Sequence, residues 1–444
     1  IMTTSLKRSK GSQSSLRIGT YSFWIKLTTI GAFNIYSNTV ESDNNRGYFQ
    51  ITADNKWRMV DNDASGTHIQ LRTNRLFRDP HAWYHMVVRV DTTQATSTDR
   101  VRLYVNGVQE TSFDQTDYPA QNDDLKIFQG GQTNREYINN IYGGSAQATN
   151  FYLSHFHYTD GQSYGPDTFG STDATTGEWN INTSPTVTYG NQGFFMFKND
   201  ASLNDDSGNS NNWSADSGTV IPSKDNPNNV FATWSPLMAK SNINLINGNT
   251  SIRPQANSID FQTASSLAFK TGKFYAEFKY IENDGHQLYG IATTEGAMSL
   301  KYNTQFPGQT AKSVAMYASN GSIYENNSAT SYGSGWGNNT IIMMAVDADN
   351  NKIYFGNNGT WYNSGNPSTG ANGYSFNATN LAGFKYMVAG NGTVGYDNTD
   401  ANFGNGYIGT TAVSSAGSNA SGNGIFEYDV PTGYTALCTK GLNT

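Results

Sequence analysis

Val346–Trp361 reads VDADNNKIYFGNNGTW, and Val90–Val108 reads VDTTQATSTDRVRLYVNGV. Each stretch closes an apolar run with Val-Asp, passes a polar turn, resumes as an alternating strand and stops at Asn-Gly. In the earlier copy Val101, Leu103 and Val105 share one face while Arg100, Arg102 and Tyr104 share the other. That period of two marks a strand with one buried and one wet face. Asn-Gly accepts the positive φ that tight hairpin turns require. The chain therefore builds one hairpin twice.

The same pattern extends outward. YSFWIKL (Tyr21–Leu27) sets Phe23, Ile25 and Leu27 against a face holding Trp24, and WYHMVVRVD (Trp83–Asp91) opens the first hairpin. FYAEFKYIE (Phe274–Glu282) places Phe274, Ala276, Phe278 and Tyr280 inward, with Glu277 and Lys279 outward. Amphipathic helix patterns are nearly absent. Short strands joined by Asn-Gly turns predict an all-β fold of antiparallel sandwiches. A chain of 444 residues is too long for one ordinary core, so two domains are expected. Strand patterning fades from Asn199 to Pro236, in a run dense in Asn, Asp, Ser and Pro. The expected division is an arm over 1–19, a sandwich over 20–200, a connector over 201–238 and a second sandwich over 239–444. Trp213, Phe231 and Trp234 imply a connector that packs against the domains.

Charged residues are 14% of the chain and its net charge is −7, which argues against general nucleic-acid binding. SLKRSKGSQSSLR (Ser5–Arg17) is the only basic cluster; it reads as a solvated tail or an arm for an acidic partner. The lone cysteine, Cys438, excludes an intrachain disulfide and reads as a small buried hydrophobe. No apolar run approaches the ~18 residues of a spanning helix, and no signal-peptide core opens the chain. The expectation is synthesis in a cytoplasm and no membrane insertion.

The two halves resemble two families. YSFWIKL, WYHMVVRVD, RVRLYVNGVQET, the long FYLSHFHYTDGQSYGPDTFGSTDATTGEW and GFFMFKNDASLNDDSGNSNNW resemble a concanavalin A-like, laminin-G-like domain. TGKFYAEFKY, YGIAT, VDADNNKIYFGNNGTWY, ANFGNG and YDVPTGYTALCT resemble a SPRY-type sandwich. The resemblance implies two tandem jelly-roll β-sandwiches, laminin-G-like and then SPRY-like, with the repeated hairpin as the same core element of each. The tandem as a whole is similar to virion proteins of marine bacteriophages. That resemblance implies a non-enzymatic virion protein, made in the host cytoplasm and exposed on the virion surface as a tail fibre, spike or receptor-binding adhesin. Its implied partners are other virion proteins and a host cell-surface glycan or receptor, with copies forming a homo-oligomer, a trimer for a fibre tip. The alternative is a capsid- or tail-decorating protein with no ligand. No heptads or short repeats mark a long shaft.

A glycan depolymerase would need two facing carboxylates. The nearest alternating run, ESDNN, has Glu41 and Asp43 but Asn45 at the third place, and no Gly-x-Ser-x-Gly elbow occurs. Glycan recognition instead asks for an aromatic face beside planar polar groups. Trp336 in SYGSGWGNN, Trp361 and Tyr362 in GNNGTWYNSGN, and Trp57 in NKWRMVDND are the candidates. No cofactor or dedicated metal site is expected. The one ion left open is a structural calcium in the first domain, through Asp61 and Asp63 of DNDASG, although the closing Glu of such a loop is replaced by Arg72. DADNN (Asp347, Asp349, Asn351) reads as a turn. His81, His85, His155 and His157 could form a zinc site only if the fold gathered them; the plainer reading of His155 and His157 is two exposed strand residues.

Overall fold

The computed structural model describes residues 4–40, 45–131, 134–141, 150–198, 201–255, 262–281, 285–392, 397–414 and 422–443. The chain divides into two units, Ile1–Pro222 and Ser223–Thr444.

In unit 1 an eight-stranded sheet runs in the order Phe113–Asp117, Gly66–Leu76, Lys56–Asp63, Arg46–Ile51, Phe33–Val40, Asn134–Ile138, Ser5–Ser9, Ser214–Ser217. A six-stranded sheet runs Phe194–Met196, Phe151–Asp160, Ile18–Leu27, Trp83–Asp91, Val101–Val105, Val108–Gln109. Neighbouring strands are antiparallel. Alternation sends Tyr21, Phe23, Ile25 and Leu27 inward from one sheet to meet Phe49, Trp57, Met59 and Leu71 from the other. Each such side chain, fully buried, contributes roughly 1.5–3 kcal/mol of transfer free energy.

Unit 2 repeats the layering. Its nine-stranded sheet follows the path Ile243–Ile246, Ser251–Pro254, Thr399–Asn402, Lys273–Tyr280, Ile341–Asp347, Lys352–Asn357, Thr360–Trp361, joined by Tyr374–Ser375 and Thr435–Ala436. Only the pairing of Lys273–Tyr280 with Thr435–Ala436 is parallel among these. The six-stranded sheet runs Gln262–Phe269, Lys385–Asn391, Gln287–Thr293, Ser313–Tyr317, Ser322–Glu325, Ser328–Ser331. Phe274, Ala276, Phe278 and Tyr280 meet Tyr289, Ile291, Val314 and Met387 between the sheets. Among the described residues no helix is long and apolar enough to cross a membrane.

The two quoted stretches are the hairpins Trp83–Val105 and Ile341–Asn357, with registers Val88↔Leu103 and Met344↔Phe355. Each leaves through an Asn-Gly turn with positive φ, Asn106 at 48° and Asn358 at 43°.

Three expectations are corrected. Residues 5–9 are no arm: Ser5–Ser9 lies between Asn134–Ile138 and Ser214–Ser217 in the sheet. Arg8 and Lys10 are buried because Glu136 meets both, accepting from Arg8 Nε at 2.6 Å and lying 3.0 Å from Lys10 Nζ. Their partner stands more than a hundred residues away, so the run looks solvated in sequence.

The connector is not one element. Ser214–Ser217 completes the first unit's sheet and Trp213 enters its core. Phe231 and Trp234 enter two clusters of unit 2.

Glu277 does point outward from its strand but is not wet. Phe426, Val430, Tyr434, Ala436 and Cys438 cover that face and bury it.

Candidate functional site

The strand Lys352–Asn357 turns at Asn358-Gly359 and Thr360–Trp361 pairs back on it, Gly356 opposite Trp361. Trp361 is half-buried, with its ring edge-on to Tyr275 at 6.3 Å and Tyr354 at 6.5 Å. It forms part of a groove of about 320 Å³ whose walls are Asn366–Pro367–Ser368 and Asp429–Val430–Pro431–Thr432.

Both walls are fixed. Asn366 and Ala371 exchange backbone hydrogen bonds of 2.9 and 3.1 Å, closing the first turn. The second wall hangs from Glu277, whose carboxylate oxygens accept the Glu427 and Tyr428 N–H groups at 2.9 Å each. The Thr432 N–H donates to Ser368 Oγ at 2.9 Å and ties the walls together. Burial pushes the Glu277 carboxyl up to about 7 against the pull of those two N–H donors. The result is a preformed notch with an indole beside it, an exposed carboxylate at Asp429 and the amide of Asn366. An aromatic face with planar acceptors and donors matches the apolar face and hydroxyl rim of a sugar.

The other three aromatic candidates do not stand there. Trp57 is fully buried, because alternation along Lys56–Asp63 turns Trp57, Met59 and Asp61 inward. Trp336 is 7% exposed and stacks on Tyr289 at 6.1 Å inside the core of unit 2. Tyr362 packs against that core over Gly333, where a Cβ would meet its ring at 2.5 Å. Loops rich in Gly let Trp336 and Tyr362 fold back onto the sandwich, whereas Trp57 is a core residue of its strand.

The calcium candidates Asp61 and Asp63 have protein partners. Asp61 is buried and accepts the Lys126 and Ile127 N–H groups at 3.1 and 2.7 Å; burial pushes it up to about 7. Asp63 accepts from Ser65 N–H at 2.8 Å and faces His68 Nε2 at 3.1 Å. Asp347 caps its turn through the Asn350 N–H at 3.0 Å, and Asp349 accepts the Gly272 N–H at 2.9 Å. Among the described residues no three His, Cys, Asp or Glu side chains gather to hold a metal ion. Glu41 and Asp43 lie outside the described residues.

The histidines are packed, not exposed. A bulge between Ser154 and His157, with His155 at φ 48°, buries His155 and His157. His85 Nδ1 accepts the Trp179 indole N–H at 2.8 Å, so the ring's proton sits on Nε2 and is directed at Ser22 Oγ, 2.9 Å away. The pair is a Ser–His contact with the base's lone pair already occupied, which is the wrong tautomer for activating a serine. The connector's NDDSGNSNNW is a staple: Asp205 accepts the N–H groups of Phe195, Ser207 and Asn211 at 2.8–2.9 Å. Cys438 caps a final helical turn through the Gly441 N–H at 3.3 Å.

Sequence reasoning missed Asp429 and the Asn366–Ser368 wall. The one signal was a Pro in each, in NPSTG and DVPTG, marking two rigid turns; only the fold brings them to Trp361.

Residues 8–156 match the family model of the concanavalin A-like lectin/glucanases superfamily, of laminin-G type. Over those residues the first unit is similar to that superfamily. The match begins at Arg8, inside the segment that belongs to the sheet and not to an arm. Solved structures similar to the chain include the SPRY domain of human HERC1, at 15% identity and TM-score 0.31, covering 38% of this chain and 96% of that one. The PSpry domain of TRIM65 gives 15% identity and TM-score 0.29, covering 38% and 89%. A human SPRY domain gives 15% identity and TM-score 0.27, covering 36% and 94%. No curated protein sequence matches the chain.

Proposed function

We propose that this chain is a non-enzymatic bacteriophage virion protein, exposed on the particle surface, that binds a host surface glycan through the groove of Trp361 and Asp429. The observation that carries the binding role is the groove itself: two rigid turns, joined by Thr432 and Ser368, hold an indole and a carboxylate around a space of about 320 Å³. That space admits one or two sugar rings, so each site is weak and a homo-oligomer on a particle gains its affinity by avidity. The resemblance of the tandem to phage virion proteins supports the setting. Neither domain is assigned a metal or a cofactor in this reading.

A reconstruction of the assembled particle carrying this chain tests it. The reading expects the Trp361 groove to face solvent. A lattice that buries the groove between subunits would replace adhesion with capsid or tail decoration.

A further inference from the structure

Seven large hydrophobic side chains are exposed among the described residues; Met298 and Tyr302 lie on one helix of unit 2, and Leu237 and Phe384 belong to segments bonded to its ends. The helix Thr294–Tyr302 lies on the outer face of the six-stranded sheet, with Ala297 and Leu300 set against Ala264, Ala292 and Val388. Met298 and Tyr302 stand one turn apart on its outward side. The Leu237 carbonyl receives Lys301 Nζ, and Phe384 precedes Lys385, which pairs with the helix cap Thr293.

Lysines ring the same patch. Lys301 Nζ sits 5.2 Å from the Tyr302 ring centroid. The Lys312 carbonyl accepts the Thr293 N–H at 2.9 Å, and its ammonium is 3.5 Å from Glu295, the only acid on the helix. Lys270 follows Phe269, the partner of Lys385 across the sheet. In a chain of net charge −7 this is a local reversal of sign around an exposed apolar centre.

We propose that this face docks peripherally on an anionic lipid surface. Tyr, Phe, Leu and Met tips suit the boundary between headgroups and acyl chains, and the positive charge of the lysines around them suits anionic headgroups. A neutral sugar would have no use for the lysines. A second copy of the same patch would be repelled by them. The surface is separate from the Trp361 groove, so it stands whether or not that groove binds glycan.

Sedimentation of the full chain with phosphatidylcholine vesicles, with and without a one-third share of phosphatidylglycerol, tests the proposal. The expected result is binding to the anionic vesicles alone, weakened at high salt. Tyr302→Ser with Phe384→Ser, and separately Lys270→Glu with Lys301→Glu, should each weaken it about tenfold. Val108→Ser, an exposed hydrophobic of unit 1, should change nothing. Thermal melts of the variants, all at surface positions, confirm that they fold. Absence of binding, equal binding to both vesicles, or binding indifferent to both pairs of substitutions overturns the proposal. So does a change of oligomer mass in the Tyr302/Phe384 variant without vesicle binding, which would make the patch a subunit contact.

Discussion

Asn358 Oδ1 accepts the N–H of Ile341 at 3.0 Å while the Asn358 N–H donates to the Ile341 carbonyl at 2.9 Å. Asn106 does the same with His85, at 2.7 and 2.9 Å. The residue that makes the turn therefore also pins the neighbouring strand, in both units. This explains why the first residue of each Asn-Gly pair is asparagine and not merely something that tolerates positive φ.

Replacing either asparagine by alanine removes a side-chain acceptor and puts an ordinary residue at positive φ. Each substitution should cost ~1–3 kcal/mol. Chemical denaturation of the full chain measures it. Asn358→Gly, which keeps the conformation and loses only the acceptor, should cost less than Asn358→Ala.

Glu136 is buried with Arg8 and Lys10, which together hold its carboxyl below the usual range in spite of burial. Glu136→Gln leaves two buried cations without their partner and should destabilise by ~3–5 kcal/mol. A triple variant, Arg8→Leu with Lys10→Met and Glu136→Leu, removes the whole network and should cost much less than Glu136→Gln alone. Denaturant midpoints of the two decide whether the basic run serves the fold or a partner.

The two units should answer pH differently. Glu277 has a folded pKa raised by burial from 4.5 to about 7. Its contribution is fully present below 4.5 and is lost as pH rises through about 7. In unit 1 burial lowers His85 to about 3 and His155 to about 4, and takes His157 down as well, against Asp61, raised to about 7. The histidine contribution is complete above 6.5 and is lost progressively as pH falls below it. Melting curves should show Glu277→Gln flattening the loss of stability between pH 4.5 and about 7, and His85→Gln flattening part of the loss as pH falls below 6.5.

Three tryptophans separate packing from recognition. Trp57→Ala and Trp336→Ala empty core space and should destabilise by ~3–5 kcal/mol. Trp361→Ala, half-buried at the groove, should cost clearly less. Thermal unfolding of the three variants ranks them.

The fold was legible wherever a strand has one core face. Phe274, Ala276, Phe278 and Tyr280, and likewise Val101, Leu103 and Val105, point where their alternation says. What the sequence hid is the second layer over a sheet's outer face. Glu277 looks solvated until Phe426 and Tyr434 are folded onto it, and His157 looks exposed until Phe195 stacks on it at 3.9 Å. Arg8 and Lys10 mislead for the same reason, since Glu136 is invisible as their neighbour. Of the site, Trp361 was readable as an aromatic in a polar loop. Asp429 was not, because a groove made of two turns 63 residues apart in sequence exists only after the sheet has brought them together.

The most direct test of the account is binding of the full chain, displayed densely to restore avidity, to an array of bacterial surface glycans, with Trp361→Ala and Asp429→Asn in parallel. The account predicts that the intact chain retains a defined set of glycans and that both variants lose them, by about tenfold or more for Trp361→Ala. A chain that retains no glycan, or a Trp361→Ala variant that binds as well as the intact chain, would contradict it.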